Sequence, residues 1–159
     1  MLQDKILPRQ NVEELFRSLR HEGKKIVFTN GCFDIMHAGH AFYLEQAKGL
    51  GDVLVVGVNS DASIRRLKGP KRPIICEEQR LTMVAALESV NFVCQFEEDT
   101  PYELICDIKP DVLVKGGDWQ VSEIVGADIV LANGGTVESL RFLNGISTTE
   151  IISRILEQS

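Results

Sequence analysis

Short runs of apolar, often β-branched residues alternate along this chain with segments in which apolar positions recur at helical spacing. Five runs read as strands: KIVFTN (Lys25 to Asn30), DVLVVGVN (Asp52 to Asn59), NFVCQF (Asn91 to Phe96), DVLVKG (Asp111 to Gly116) and DIVLAN (Asp128 to Asn133). Each is bounded by turn residues, and near-continuous apolar runs suit strands covered on both faces. Between them AGHAFYLEQAKGLG, EEQRLTMVAALESV and TPYELICDIKP read as helices, with NVEELFRSLRHEG before the first strand and STTEIISRILEQ at the end. Thr100 stands where it can cap the helix entered at Pro101, and Glu103 follows in capping-box register. The alternation predicts an α/β fold: a parallel sheet of about five strands with helices on both faces, since right-handed crossovers pack back only that way. One domain over residues 1–159 is expected, with a helical extension over 1–23 ahead of a core over 24–159.

Composition narrows the class. The chain has 159 residues, 44% of them hydrophobic, enough for a core without disulfide or metal staples. No apolar stretch approaches the roughly 18 residues of a membrane span, and the start MLQDKILPRQ lacks the layout of a secretory signal. A cytoplasmic protein with no membrane partner is expected. Cys32, Cys76, Cys94 and Cys106 lie far apart with no C-x-x-C pair, which points to buried, reduced thiols. A net charge of -6 argues against nucleic acid as a partner, so any phosphate site must be locally basic. RRLKGPKRP supplies that local charge, gathering Arg65, Arg66, Lys68, Lys71 and Arg72 around a Gly-Pro break that suggests a loop able to close over substrate.

The segment TNGCFDIMHAGH, residues 29–40, ends the first predicted strand and opens a helix. In an open α/β sheet ligands bind beyond the carboxyl ends of the strands. Neither a dinucleotide fingerprint nor a P-loop is present, which removes the main support for ordinary kinase and GTPase readings. His37 and His40 share a face at the first turn, beside free backbone N–H groups and the positive end of the helix dipole. Gly39 lets a phosphate or a flat base lie against the backbone. Two imidazole donors there suit a phosphate that gains negative charge during reaction. For an arbitrary H-x-x-H the favoured reading is that the histidines merely cap and decorate a helix start, and a zinc site from Cys32, His37 and His40 would lack a fourth ligand.

The same stretch resembles the G-x-F-D-x-x-H-x-G-H signature of the cytidylyltransferase-like nucleotidyltransferases, a highly specific pattern. The likeness continues through LKGPKRPI, EEQR, EDTP, PDVLVKGGDW and GISTTEII, about residues 24 to 156. Within the family it is similar to the enzymes that adenylate D-glycero-β-D-manno-heptose 1-phosphate, in a form without a fused sugar kinase. That resemblance implies a Rossmann-like fold and the reaction of ATP with the sugar 1-phosphate to give ADP-heptose and pyrophosphate, for lipopolysaccharide or another surface glycan. It also implies Mg²⁺ bound mainly through ATP, a homodimer, and a separate heptose 7-phosphate kinase acting upstream. By the resemblance His37, His40, Lys68 and Arg80 are catalytic. Thr29, Asn30, Gly31, Cys32, Phe33, Gly39, Asn59, Asp61, Lys115, Gly117, Asp118, Trp119, Ser147, Thr148 and Thr149 hold the nucleotide. Lys71 and Arg72 meet substrate, as does Asp34, whose carboxylate equally suits orienting or capping the turn. No residue is assigned to a metal.

Several of these positions have plainer readings. Arg80 could be a surface helix arginine, VKGGDW a simple turn around a tryptophan, and Ser147 an N-cap, although a cap alone leaves Thr148 and Thr149 unexplained. Relatives that use CTP typically read RTEGIS where this chain has FLNGIS, with Phe142 in place of the arginine. Arg141, adjacent to it, would point elsewhere in an extended segment. A cytidylyltransferase for a small phosphorylated alcohol such as glycerol 3-phosphate is the nearest alternative. A non-catalytic nucleotide-binding or metal-binding module is another.

Overall fold

A computed structural model describes residues 1–159, and its centre is one six-stranded, wholly parallel sheet. In chain order the regular elements are β1 (Ile6–Leu7), α1 (Val12–His21), β2 (Ile26–Gly31), α2 (Ala38–Lys48), β3 (Val53–Asn59), α3 (Asp61–Lys68), α4 (Glu77–Ala85), β4 (Phe92–Phe96), α5 (Tyr102–Ile108), β5 (Val112–Gly116), α6 (Ala127–Ala132), β6 (Thr136–Leu140) and α7 (Thr148–Glu157). The strands lie in the order β1-β4-β3-β2-β5-β6. From β2 the chain winds outward through β3 to β4, then returns to place β5 on the other flank of β2. That reversal leaves a crevice at the carboxyl ends of β2 and β5.

Two apolar layers sandwich the sheet. On one face Phe28, Val55 and Leu113 pack with Phe16 of α1, Leu104 and Ile108 of α5, and Val130 of α6. On the other Val27, Leu54, Val56 and Val114 pack with Leu44 and Ala47 of α2 and Val84 of α4. The alternation Ile26, Val27, Phe28 along β2 assigns successive side chains to opposite layers, the period of two that a strand requires.

The expected α/β architecture stands, with six strands rather than about five. DIVLAN is not a strand. It forms α6, entered at Gly126 with φ 88°, and turns Ala127 and Val130 inward while Leu131 is exposed, which is helical spacing. A short apolar run cannot distinguish these alternatives by periodicity. The true neighbour of β5 is β6, whose TVESL is largely exposed at the sheet edge and carries little apolar signal.

The first 23 residues, expected as a helical extension, also contribute β1, which pairs Ile6 with Val93 and Leu7 with Cys94. Arg65 to Lys68 belong to α3, capped by Ser60, so the basic loop is confined to residues after it. Thr100 does not cap α5, which is entered from Pro101 without a side-chain cap. All four cysteines are free thiols; only Cys94 is buried, and Cys76 is exposed.

Candidate active site

The signature segment leaves β2 in an uncommon conformation. Phe33 has φ 52° and the β-branched Ile35 has φ 49°, both left-handed, where a side chain is strained unless its surroundings over-determine it. Here they do. Arg80 Nη1 donates to the Cys32 carbonyl at 2.7 Å, and Thr148 Oγ1 donates to the Asp34 carbonyl at 2.6 Å. The Asp34 carboxylate accepts from Ile74 N at 2.8 Å, Ile75 N at 2.9 Å and Arg72 Nε at 3.0 Å. Burial alone would raise the Asp34 pKa, but the two backbone donors and Arg72 hold it below the usual carboxylate value. Asp34 thus ties the basic loop and α7 to the turn that precedes the histidines.

His37 is the N-cap of α2. Its Nδ1 accepts from Gly39 N at 3.1 Å, while His40 Nδ1 accepts from His37 N at 3.2 Å, a reciprocal capping box built from imidazoles. The rings lie 3.9 Å apart between centroids at an interplanar angle of 31°. Accepting a backbone N–H requires an unprotonated Nδ1, so each neutral ring carries its proton on Nε2, which has no partner within the chain. Capping and ligand binding are therefore the same arrangement seen from two sides: the cap fixes the tautomer and leaves a donor free. Electrostatics agree. Burial, then the charges of His37 and Lys68, push the His40 pKa down to about 4, and burial lowers that of His37. In a proton NMR titration of the free protein the His40 ring is expected to titrate near 4. Because the unfolded chain takes up that proton around 6.5, the contribution of His40 to stability is complete above 6.5 and is lost as pH falls toward 4.

Three adjoining hollows surround the pair. One of about 380 Å³ is lined by His40, Phe33, Tyr43, Lys115, Trp119 and Phe142 among others. A second of about 350 Å³ shares Asn30, Gly31, Cys32 and Lys115 with it and adds Asn59 and Lys68. A third of about 300 Å³ has His37, Gly39 and His40 on one side and Leu143, Ile146, Ser147 and Thr148 on the other. Lysines thus reach the second hollow from α3 and from β5, and the imidazoles stand beside the third. Larger hollows, of about 520 Å³ beside Arg9 and about 760 Å³ beside Tyr102, contain neither histidine nor lysine; the first lies apart, and the other borders the second hollow at Ile124 and Val125.

Of the residues singled out by sequence, His37, His40, Lys68, Asn30, Gly31, Cys32, Phe33, Gly39, Asn59, Lys115, Gly117 and Trp119 line these hollows. Trp119 Nε1 donates to the Gly116 carbonyl at 3.0 Å, and Lys115 Nζ lies 5.3 Å from its ring, so this turn is held from within. Other positions are engaged within the protein. The Thr29 side chain is fully buried, its hydroxyl on Tyr43 and the Val114 carbonyl, which leaves its backbone as the part that can meet a nucleotide. The Arg80 side chain, 0% exposed, donates to the carbonyls of Cys32, Asn59 and Ile75 and to Asp61, so in this arrangement it touches no phosphate space. Asp61 serves Arg80, and Asp34 and Arg72 serve each other.

Ser147 and Thr148 line the third hollow, but their hydroxyls are engaged by Glu150 N and the Asp34 carbonyl, which accounts for two of the three consecutive hydroxyls without a phosphate. Lys71, Asp118 and Thr149 are exposed and line none of the three hollows. Cys32 Sγ turns toward Asn59 Oδ1 at 3.9 Å, and no three His, Cys, Asp or Glu side chains converge on a point. Sequence reasoning passed over Tyr43, Leu143 and Ile146. Tyr43 was detectable as the residue one helical turn after His40, on the same face.

A switch-point crevice, a strained turn and two tautomerically fixed imidazoles at a helix start define a nucleotidyltransferase, and the family comparison agrees: residues 28–154 match the family described as cytidylyltransferase-like, to which the chain belongs. The chain is 53% identical over 154 residues to the bifunctional protein HldE of Trichlorobacter lovleyi, an alignment covering 97% of this chain and 31% of that protein. It is 58% identical over 134 residues to the HldE of Geobacter metallireducens, covering 84% of this chain and 27% of that one. The chain therefore spans about a third of the length of these relatives. Among solved structures, the lipopolysaccharide core biosynthesis protein of Thermoplasma volcanium superposes with a TM-score of 0.62 at 32% identity, over 76% of this chain and 98% of that one.

Proposed function

We propose that this chain transfers AMP from MgATP to D-glycero-β-D-manno-heptose 1-phosphate, giving ADP-heptose and pyrophosphate. One observation supports the chemistry above others: two neutral imidazoles with free Nε2 donors, stacked at the start of α2 and flanked by hollows that Lys68 and Lys115 line. An oxygen of the sugar phosphate attacks the α-phosphorus, the bond to the bridging oxygen breaks, and pyrophosphate leaves. The attacking phosphate is already ionised, so no general base is needed. Catalysis is positioning and charge stabilisation, with Nε2–H groups meeting the oxygens on which charge grows. Mg²⁺ would be held mainly by the triphosphate oxygens and would supply charge neutralisation there, while the imidazoles, lysines and backbone of the site would hold the phosphates; no three His, Cys, Asp or Glu side chains converge to hold the ion itself.

A relative named for lipopolysaccharide core biosynthesis supports a sugar acceptor, and relatives named as bifunctional, of which this chain spans about a third, fit a second activity beside this one, which on this reading is the kinase upstream. Phe142 supports ATP over CTP. It stands where CTP-using relatives carry an arginine, and its ring lies so close over Gly116 that a Cβ there would collide with it. An apolar ring offers a pyrimidine edge no hydrogen bond, whereas it can pack on a purine. The test is pyrophosphate release over a grid of ATP, CTP, GTP and UTP against heptose 1-phosphate and glycerol 3-phosphate. Release confined to ATP with the heptose supports the reading. Release only with CTP and glycerol 3-phosphate establishes the cytidylyl alternative, and none with any pair removes the transferase reading.

A further inference from the structure

Where β2 and β5 part, one buried hydroxyl chain bridges the gap. The two strands are in register only at Val27 with Val112 and Phe28 with Leu113, whereas β2 stays paired with β3 as far as Gly31. At the first unpaired step Thr29 Oγ1 donates to the Val114 carbonyl at 3.0 Å. With its proton so directed, that oxygen accepts from Tyr43 OH, 2.7 Å away. Thr29 is fully buried and Tyr43 is 6% exposed. This is the only side-chain hydrogen bond from α2 to a strand; the others that α2 makes remain in its own cap or reach the turn at Asp52. Burial, only partly offset by the bond to Thr29, pushes the Tyr43 pKa up to about 12, so it keeps its proton as the donor.

Tyr43 lies one turn after His40 on the same helix face, and both line the same hollow. His40 is gripped laterally by Phe33, whose ring centroid is 5.4 Å away, and by His37 at 3.9 Å. Neither contact sets how far α2 sinks toward the sheet. We propose that Tyr43 is a positioning residue for the transfer step: its hydroxyl, through Thr29, ties α2 to the mouth of the β2/β5 crevice and so fixes the depth at which His40 Nε2 meets the reacting phosphate. The apolar packing of Leu44 and Ala47 holds α2 on the sheet, but it is non-directional and tolerates sliding. A hydrogen bond between a strand end and the catalytic turn supplies the direction.

The inference rests on the transferase reading, so its test has an arm that does not. Tyr43→Phe removes one hydroxyl, keeps the ring against Phe142 (centroids 5.6 Å apart) and leaves Thr29 its acceptor at Val114, so no buried donor is orphaned. Its kcat is expected to fall about 10-fold, the worth of roughly one hydrogen bond, with KM for MgATP unchanged. Thr29→Val should cause a similar fall, Thr29→Ser should restore the rate, and the double variant Tyr43→Phe/Thr29→Val should be no slower than the slower single one. In the free protein, without substrate, the NMR titration midpoint of His40 should rise from near 4 in Tyr43→Phe, because a looser α2 exposes the ring. An unchanged kcat, fully additive losses, or a KM effect alone would overturn the proposal. Should wild-type protein turn over no sugar phosphate, the transferase reading fails, and the His40 titration then decides this one: an unmoved midpoint overturns it and a raised midpoint upholds the tie between Tyr43 and His40.

Discussion

His40→Ala is expected to slow AMP transfer by about 10² or more, the usual cost of deleting one preorganised donor to a developing negative charge. KM for MgATP should change little, because on the proposed reading Lys68, Lys115 and the backbone of the signature turn would still hold the triphosphate. The reason lies in the tautomer. With Nδ1 engaged by His37 N and a pKa near 4, His40 offers Nε2–H at every pH where the substrate phosphates are ionised, and it need not change protonation to do so. A neutral donor strengthens as charge grows on the α-phosphate oxygens without binding the ground-state anion as tightly as a cation would. His40→Gln retains an N–H donor on a chain of different reach and should fall between wild type and alanine. His37→Ala is expected to match His40→Ala within a few-fold, and the double variant to lose far less than the product, since the two rings pack 3.9 Å apart and share one backbone cap. Pyrophosphate release under saturating MgATP, with folding verified by chemical denaturation, is the measurement. Normal turnover by a folded His40→Ala protein would remove the assigned role.

Burial decided what could be read from sequence. β2, β3, β4 and β5 are covered on both faces, so their apolar runs are continuous and announce themselves. β1 and β6 are edges: one has two residues, the other is mostly exposed, and neither accumulates a hydrophobic signal. The histidine pair was legible because its chemistry depends on spacing along one helix turn, which sequence preserves. Asp34, Arg72, Thr148 and Arg80 were harder for the opposite reason. A carboxylate, a guanidinium or a hydroxyl has the same donors whether it meets a phosphate or a main-chain carbonyl, and only the tertiary fold decides which is nearer. Here the Cys32 and Asp34 carbonyls of the left-handed turn take Arg80 and Thr148, while the Asp34 carboxylate takes Ile74 N, Ile75 N and Arg72. The signature is thus two sets of residues, one lining the hollows and one holding the first in shape. A linear motif does not separate them.

Arg80 allows that division to be tested on stability rather than rate. Its guanidinium donates to Cys32 O at 2.7 Å, Asn59 O at 2.8 Å, Ile75 O at 2.9 Å and Asp61 Oδ1 at 2.8 Å, joining the signature turn, the end of β3, the basic loop and the start of α3. Arg80→Leu keeps much of the volume but strips donors from three carbonyls and leaves the Asp61 carboxylate without its partner. Breaking a buried charge pair costs about 3 to 5 kcal/mol, and because the Asp61 side chain is 23% exposed, water offsets part of this and the lower end is expected. Arg80→Lys keeps the charge but not the planar fork, so it should recover only a fraction. Urea unfolding monitored by the single tryptophan, Trp119, reads both. Were Arg80 instead an exposed phosphate ligand, Arg80→Leu would shift stability by no more than about 0.5 kcal/mol and weaken MgATP binding alone. Released from Arg80, the Cys32 to Met36 turn should also exchange its amide hydrogens faster, since the left-handed residues there relax once the carbonyl that anchors them is freed. Large destabilisation with fast exchange confined to this turn would make Arg80 the clamp of the active site; an unchanged midpoint would return it to the phosphate.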